Sequence, residues 1–345
     1  MSGGLSAAAF GVLADLLKSR SGLVIGPDKL YLLETRLGPI LRRDGMRDLE
    51  ALAGRLDGLG AEKLAQEVVE AMTTNESLFF RDTKPFEHFR TRVLPRLTEA
   101  RPTGEPLRLW SAAASTGQEA YSLAMILADN HAVLGQRKVE ILGTDIARAP
   151  LARAREGLYS QFEVQRGLPV QMLMKHFRKE AGGWRLSGAL RAAVEFREWN
   201  LIGDLRPLGT FDVVFCRNVL LYFDQPTRTR VLEAIASRMA PDGVLYLGGA
   251  ETVLGLTDRL RPLPEQQGAY VASTGLPPGS RDHEEPAPSP AAPSGVKSRR
   301  GSQQEAPTWP AVIGSRSFPV MGSAKRLSRS QSKYSTPPLP GSTSI

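Results

Sequence analysis

From Pro106 onward, short apolar runs alternate with helical stretches, and no other feature of the chain limits its fold as tightly. The runs are Leu107–Trp110, Val139–Gly143, Val194–Glu198, Phe211–Cys216 and Gly243–Gly248. Apolar residues recur at helical spacing over Gly117–Ala128, Arg148–Arg155 and Gln225–Met239. Such alternation predicts βαβ units, a parallel sheet and right-handed crossovers. Between Tyr159 and Phe196 the rhythm breaks. A helix over Val170–Phe177 leads into Phe177–Gly188, which reads as a short hairpin turning at Gly182-Gly183, a small antiparallel insertion. The expected fold class is α/β and Rossmann-like with a small antiparallel β insertion, preceded by an all-α N-terminal domain.

That first part carries helical periodicity over Phe10–Lys18, Lys29–Arg43, Asp48–Leu56 and Ala61–Met72. In the second of these, Leu30, Leu33, Leu37, Ile40 and Leu41 share one face. Thr73–Ser77 then supplies turn and cap chemistry before a helix over Lys84–Glu99. The expected organisation is a helical domain over residues 1–75, a linker and connecting helix over 76–105, and an α/β domain over 106–275. The insertion occupies about 160–193 and a Pro/Ser-rich tail 276–345.

Charge sharpens this division. The chain has 44 Lys+Arg against 36 Asp+Glu, a net +8. Leu276–Ile345 alone holds nine basic and four acidic residues, and 12 of the 25 prolines. That segment has too few apolar residues to offset its ordering entropy, so disorder is expected there. The basic surplus is therefore no nucleic-acid signature of the folded part. A lone Cys216 excludes a disulfide scaffold and a multi-Cys zinc site, and four scattered His argue against a metal centre. No apolar run approaches the ~20 residues that cross a bilayer, and the N-terminus lacks a basic leader. A cytoplasmic monomer with no nucleic-acid partner and no stable membrane insertion is expected.

The segment Leu107–Ala124 ends a strand, crosses over on small residues and opens a helix near Gly117. Open α/β folds bind nucleotides at such a carboxyl edge. The loop is not G-x-G-x-x-G and carries no P-loop Lys, which favours a nucleoside ligand without a diphosphate. Asp145 closes the next strand, where an acid accepts hydrogen bonds from ribose hydroxyls; a helix N-cap is the alternative. Asn200-Leu201 follows the third strand, at the depth of an adenine ring. Arg217-Asn218 follows the buried strand Phe211–Cys216.

Five blocks together, Met72-Thr-Thr-Asn-Glu-Ser-Leu-Phe-Phe-Arg81, Trp110–Ala124, Thr144–Ile146, Ala154–Tyr159 and Phe215-Cys-Arg-Asn-Val-Leu-Leu-Tyr-Phe223, resemble the CheR family of chemotaxis receptor methyltransferases. The likeness runs colinearly over about residues 10–272. It implies S-adenosylmethionine as cofactor and methylation of glutamate side chains on the cytoplasmic helices of chemoreceptors. Carried over by position, the cofactor contacts are Asn75, Ser77, Arg81, Glu119, Asp145, Asn200, Leu201, Arg217 and Asn218; Arg81 and Tyr222 are expected beside the reacting centre. Ser77 stands where the family usually has Thr, and a hydroxyl survives. Gln118 and Ala120 depart from the usual surroundings of the glutamate, while Glu119 is intact. Gly249-Ala250-Glu251 stands where His-Ser-Glu is common.

The inventory suits that chemistry. An acceptor carboxylate is ionised at pH 7 and needs no general base, only in-line placement and cationic or hydroxyl donors that keep it unprotonated. Arg36 and Arg43 lie one heptad apart, with Arg42 and Arg47 close by, and together they suggest a basic stripe for an acidic receptor helix. The small β insertion matches one that, in some members, grips a receptor's C-terminal peptide. Its short loop here leads us to expect no dependence on such a tether. Two rival readings are a catalytically silent cofactor-binding module and a nicotinamide-dependent oxidoreductase. Intact site residues oppose the first and the missing glycine fingerprint opposes the second.

Overall fold

The computed structural model describes residues 5–273 apart from residues 59 and 103; the expected disordered tail over 276–345 lies outside the described residues. Four helices open the chain. In α1 (Ala7–Ser21) the Ser6 side chain caps the first turn by accepting from Ala9 N–H, and left-handed Gly22 closes the last. A 3₁₀ turn at Pro27–Lys29 leads into α2 (Leu30–Arg43). Asp48 caps α3 (Leu49–Leu56) by accepting from Ala51 N–H, and α4 (Glu62–Met72) completes the set. Leu13, Leu17, Leu33, Leu37, Leu52 and Val68 are fully buried in a single core. Each such side chain contributes about 1.5–3 kcal/mol, so this small bundle has a genuine interior.

One helix was expected over Lys84–Glu99. The chain instead runs α5 (Lys84–His88), a π-helical turn at Phe89–Val93, and α6 (Leu94–Ala100). Pro95 has no N–H to return to the preceding turn, and the wider register sits just before it. Phe86, Phe89, Val93 and Leu97 of this element pack beneath the sheet.

The sheet has seven strands in the order β6-β2-β1-β7-β8-β10-β9. Its members are β1 (Leu107–Ala112), β2 (Val139–Asp145), β6 (Val194–Glu198), β7 (Phe211–Cys216), β8 (Met239–Leu247), β9 (Leu260–Pro262) and β10 (Ala269–Ala272). The first five pair in parallel, as expected. Two findings differ. β10 runs antiparallel to both β8 and β9, so the sheet is mixed. Met239, read as the end of a helix, begins β8: helix α13 (Gln225–Ala236) stops earlier, and the Phe211 N–H donates to Arg238 O (2.7 Å). Strand order reverses between β1 and β7, and open α/β sheets place ligands at the carboxyl ends flanking such a point.

The insertion is a three-stranded sheet in the order β3-β5-β4, with β3 at Leu158–Tyr159, β4 at Phe177–Glu180 and β5 at Gly183–Leu186. The hairpin turns on Ala181-Gly182, one residue earlier than expected; β3 was not expected as a strand. Phe79 anchors the insertion through edge-on contacts with Tyr159 and Phe177. Gly167 is required there: at φ 87°, a Cβ would sit 2.1 Å from the Phe79 carbonyl oxygen.

Candidate functional site

Three walls enclose a cleft holding about 950 Å3 of space, part of it open to solvent. The first is the sheet edge. After β1 the chain crosses over through Ala113 (φ 62°) and Ser115 (φ 52°) to Gly117 (φ 92°), which precedes helix α7 (Gln118–Asp129). A Cβ at Gly117 would lie 2.9 Å from Ala154 Cβ, so the loop can sit this close to its neighbour only without a side chain. Asp145, at the end of β2, fixes the loop's shape: its Oδ2 accepts from Ser115 N–H (2.8 Å) and its Oδ1 from Ala147 N–H (2.9 Å). It does not cap helix α9 (Arg148–Glu156), whose N-cap is Ala147. Glu119, in the first turn of α7, accepts from Ser111 Oγ–H (2.8 Å) and pairs with Arg217 (3.3 Å).

The second wall is the segment leaving α4. Thr73 through Leu78, with Arg81, face the cleft, and Ser115 Oγ–H donates to the Asn75 carbonyl (3.1 Å). Phe80, Asp82 and Thr83 all adopt positive φ, a concentration of strained backbone around Arg81. The third wall comes from the N-terminal helices. Ser21 and Leu23 line the cleft, Leu23 bridges Phe223, and Val24 N–H donates to the Tyr222 carbonyl (3.0 Å). Asn200 Nδ2–H donates to the Arg20 carbonyl (2.6 Å), fastening the third-strand loop to α1.

All nine positions expected to hold the cofactor line this cleft: Asn75, Ser77, Arg81, Glu119, Asp145, Asn200, Leu201, Arg217 and Asn218. Tyr222 joins them. Their surroundings divide them. The Arg217 side chain, 2% exposed, is held through both terminal nitrogens: its Nη2 donates to the Arg81 carbonyl (2.9 Å) and Asp82 Oδ2 (2.5 Å), its Nη1 faces Glu119, and its guanidinium lies over Phe86. Arg81 has one long contact, to the Glu76 carbonyl at 3.5 Å, and no ion pair among the described residues. Arg217, then, clamps the 81–82 turn to the sheet, and Arg81 is left facing the cleft.

The four arginines of the expected basic stripe divide: Arg42, Arg43 and Arg47 are exposed, and Arg36 is half-buried. Arg36 turns inward and donates to the Met72 and Thr73 carbonyls and to Thr74 Oγ1 (2.6, 3.0 and 3.1 Å). Arg43 pairs with Asp44 and Glu67, and Arg47 with Asp48. Arg36 and Arg43 face the α4 side, so the spacing that suggested a free face marks the seam between two helices. Arg42 is exposed and makes no hydrogen bond among the described residues.

Ser21, Leu23, Ser115 and Trp199 also line the cleft, and sequence reading did not single them out. Ser115 lies inside the Leu107–Ala124 crossover and Trp199 adjoins Asn200-Leu201; nothing in residues 21–23 signals a bridge to Phe223, 200 positions later. No His or Cys lines the cleft, and among the described residues no group of three or more His, Cys, Asp or Glu could hold a metal. Also among them, no helix is long and apolar enough to cross a membrane.

Residues 8–73 match the all-alpha domain of CheR methyltransferases, and residues 75–269 match the SAM binding domain of the same enzymes. The chain belongs to the CheR methyltransferase family. Its relatives include the chemotaxis protein methyltransferase Cher2 of Pseudomonas putida, 39% identical over 70% of this chain and 89% of that protein. Chemotaxis protein methyltransferase 1 of Pseudomonas aeruginosa is 41% identical over 73% and 92%. A chemotaxis protein methyltransferase of Borreliella burgdorferi is 31% identical over 70% and 87%.

S-adenosylmethionine is thus the cofactor of this CheR methyltransferase, and the cleft suits it. Asn218 Oδ1 is buried with no partner, an acceptor awaiting a donor. Burial pushes the Glu119 carboxyl above its ordinary range despite Arg217 and Ser111, and does the same to Asp145 despite its backbone donors. Two carboxylates short of compensating charge suit a ligand that carries cationic groups and hydroxyl donors.

The join between α1 and α13 gives a pH prediction for this CheR methyltransferase. Lys18 pairs with Asp224 (2.8 Å), which also caps α13 by accepting from Thr227 N–H (3.0 Å). Lys18 first, and then Thr227, hold the Asp224 carboxyl far below the usual range. A carboxyl with a lowered folded pKa stabilises the fold above its unfolded value of about 4, and that contribution fades as pH falls through the folded value. Asp224→Asn should therefore be less stable than the parent at pH 7, with the gap narrowing toward pH 2–3. Thermal melts across that range measure it; a gap independent of pH would contradict the pairing.

Proposed function

We propose that this methyltransferase esterifies glutamate side chains on the cytoplasmic helices of chemoreceptors, in chemosensory adaptation. The observation that carries the proposal is Arg81: a guanidinium at the cleft wall, held on a strained turn and free of any ion pair among the described residues. S-adenosylmethionine, when bound, supplies a methyl group already activated on a sulfonium sulfur. The chain's part is placement. Arg81 draws in a carboxylate and keeps it ionised through charge-assisted hydrogen bonds, and the Tyr222 hydroxyl can donate a further one. Asn75, Ser77, Asp145, Asn200, Leu201 and Asn218 surround the donor; Glu119 and Arg217 hold the floor of the cleft. Acceptor and donor are thereby brought toward near-attack geometry without a general base. Incubating the protein with radiolabelled S-adenosylmethionine and receptor cytoplasmic fragments should yield base-labile label on glutamate. Binding of the cofactor without transfer would return us to the silent-module reading.

A further inference from the structure

Glu251, the last residue of the Gly249-Ala250-Glu251 stretch, lies in the loop after β8 and carries none of the roles assigned so far. It is 9% exposed, and its carboxylate collects four backbone N–H groups. Oε2 accepts from Asn218 (2.8 Å) and Gly248 (2.7 Å); Oε1 accepts from Val219 (2.9 Å) and Leu221 (3.3 Å). Three of the four donors belong to the turn that follows β7 and carries Asn218 and Tyr222. Asn218 in that turn is left-handed (φ 60°), a conformation that requires support from its surroundings. On the other side, Arg217 ties the same strand end to the 81–82 turn. Gly248 packs so closely that a Cβ would meet Asn218 Nδ2 and Glu251 Oε2 at 2.8 Å each.

We infer that Glu251 is a positioning residue for methyl transfer: its carboxylate holds the Asn218–Tyr222 turn in the shape that presents Asn218 to the cofactor and Tyr222 to the acceptor. This rests on reading the cleft as the methyl-transfer site. A carboxylate is suited to the task because it is acceptor-only and offers about four lone-pair positions for four N–H groups. An amide of the same shape turns donors toward donors.

The test is Glu251→Gln in the full chain, with S-adenosylhomocysteine binding followed by calorimetry at a temperature where circular dichroism shows the variant folded. Affinity should fall about tenfold or more, and kcat for a receptor fragment should fall with little change in KM for the fragment. Glu251→Asp, which keeps the charge, should recover part of both. A purely structural role would lower the melting temperature and leave affinity and kcat intact in the folded protein. If Glu251→Gln does not fold, Gly248→Ala disturbs the same contacts from the opposite side and should give the same pattern. Affinity and kcat within twofold of the parent in the folded variants overturn the inference. Should the parent bind S-adenosylhomocysteine yet methylate no receptor fragment, the acceptor reading fails, and loss of affinity in Glu251→Gln still supports the role of Glu251.

Discussion

Arg217→Ala is expected to lose about 3–5 kcal/mol of folding stability, the usual consequence of removing one partner from a buried ion pair. Three groups lose the guanidinium at once: the Glu119 carboxylate, which keeps only Ser111 Oγ–H, the Arg81 carbonyl and Asp82. Arg217→Lys should recover little, since a single ammonium cannot span the directions that the guanidinium reaches. Chemical denaturation of each variant measures this. The deficit should also depend on pH. Burial already makes the folded protein hold the Glu119 proton more tightly than the unfolded chain does. In the variant that preference grows, and stability rises as pH falls toward the unfolded value of about 4.3. The gap to the parent should therefore be wider at pH 8 than at pH 5. A loss under about 1 kcal/mol, or a gap insensitive to pH, would mean that the clamp is dispensable.

Asp145→Ala should weaken cofactor binding roughly 100-fold or more, about 3 kcal/mol at the least. We propose that two ribose hydroxyls donate to this buried carboxylate; each such bond to a charged acceptor is worth ~1.5–3 kcal/mol, and the substitution removes both. The same change unseats the crossover loop, because Ser115 and Ala147 N–H groups lose their acceptor. Asp145→Asn is the milder change: it keeps one oxygen for either Ser115 or Ala147 N–H and turns its NH2 toward the other, so it should lose less stability than Asp145→Ala while still losing affinity. Calorimetry with S-adenosylhomocysteine gives the affinity and thermal melts give the stability. Unchanged affinity in Asp145→Ala would remove the carboxylate from the ribose.

The parts of this molecule that were legible in its sequence are those whose cause is local. Val194–Glu198 and Phe211–Cys216 are strands with the expected bounds because each is a short β-favouring run between clear breaks. The strands at Leu260–Pro262 and Ala269–Ala272 escaped notice: they are short, neither alternates, and they are strands because β10 pairs with β8 and β9 with β10. Met239 continued a helical spacing and was lost to the sheet for the same reason. The cleft residues were found through motif resemblance, whereas their hydrogen bonds were not legible. Arg36 looked like surface because its partners lie 36 to 38 residues away, and the part Glu251 plays was not legible because three of its four amide donors sit 30 or more residues earlier.

The bridge between Leu23 and Phe223 bears on how far this protein can be taken apart. A recognition module can be exchanged between enzymes when it touches the catalytic part only through a linker. Here the stretch that follows α1 borders the cleft and grips the backbone of Tyr222, and the chain leaving α4 forms another side of the same cleft. The N-terminal helices are built into the cleft itself, and grafting them onto another scaffold would take one side of it with them.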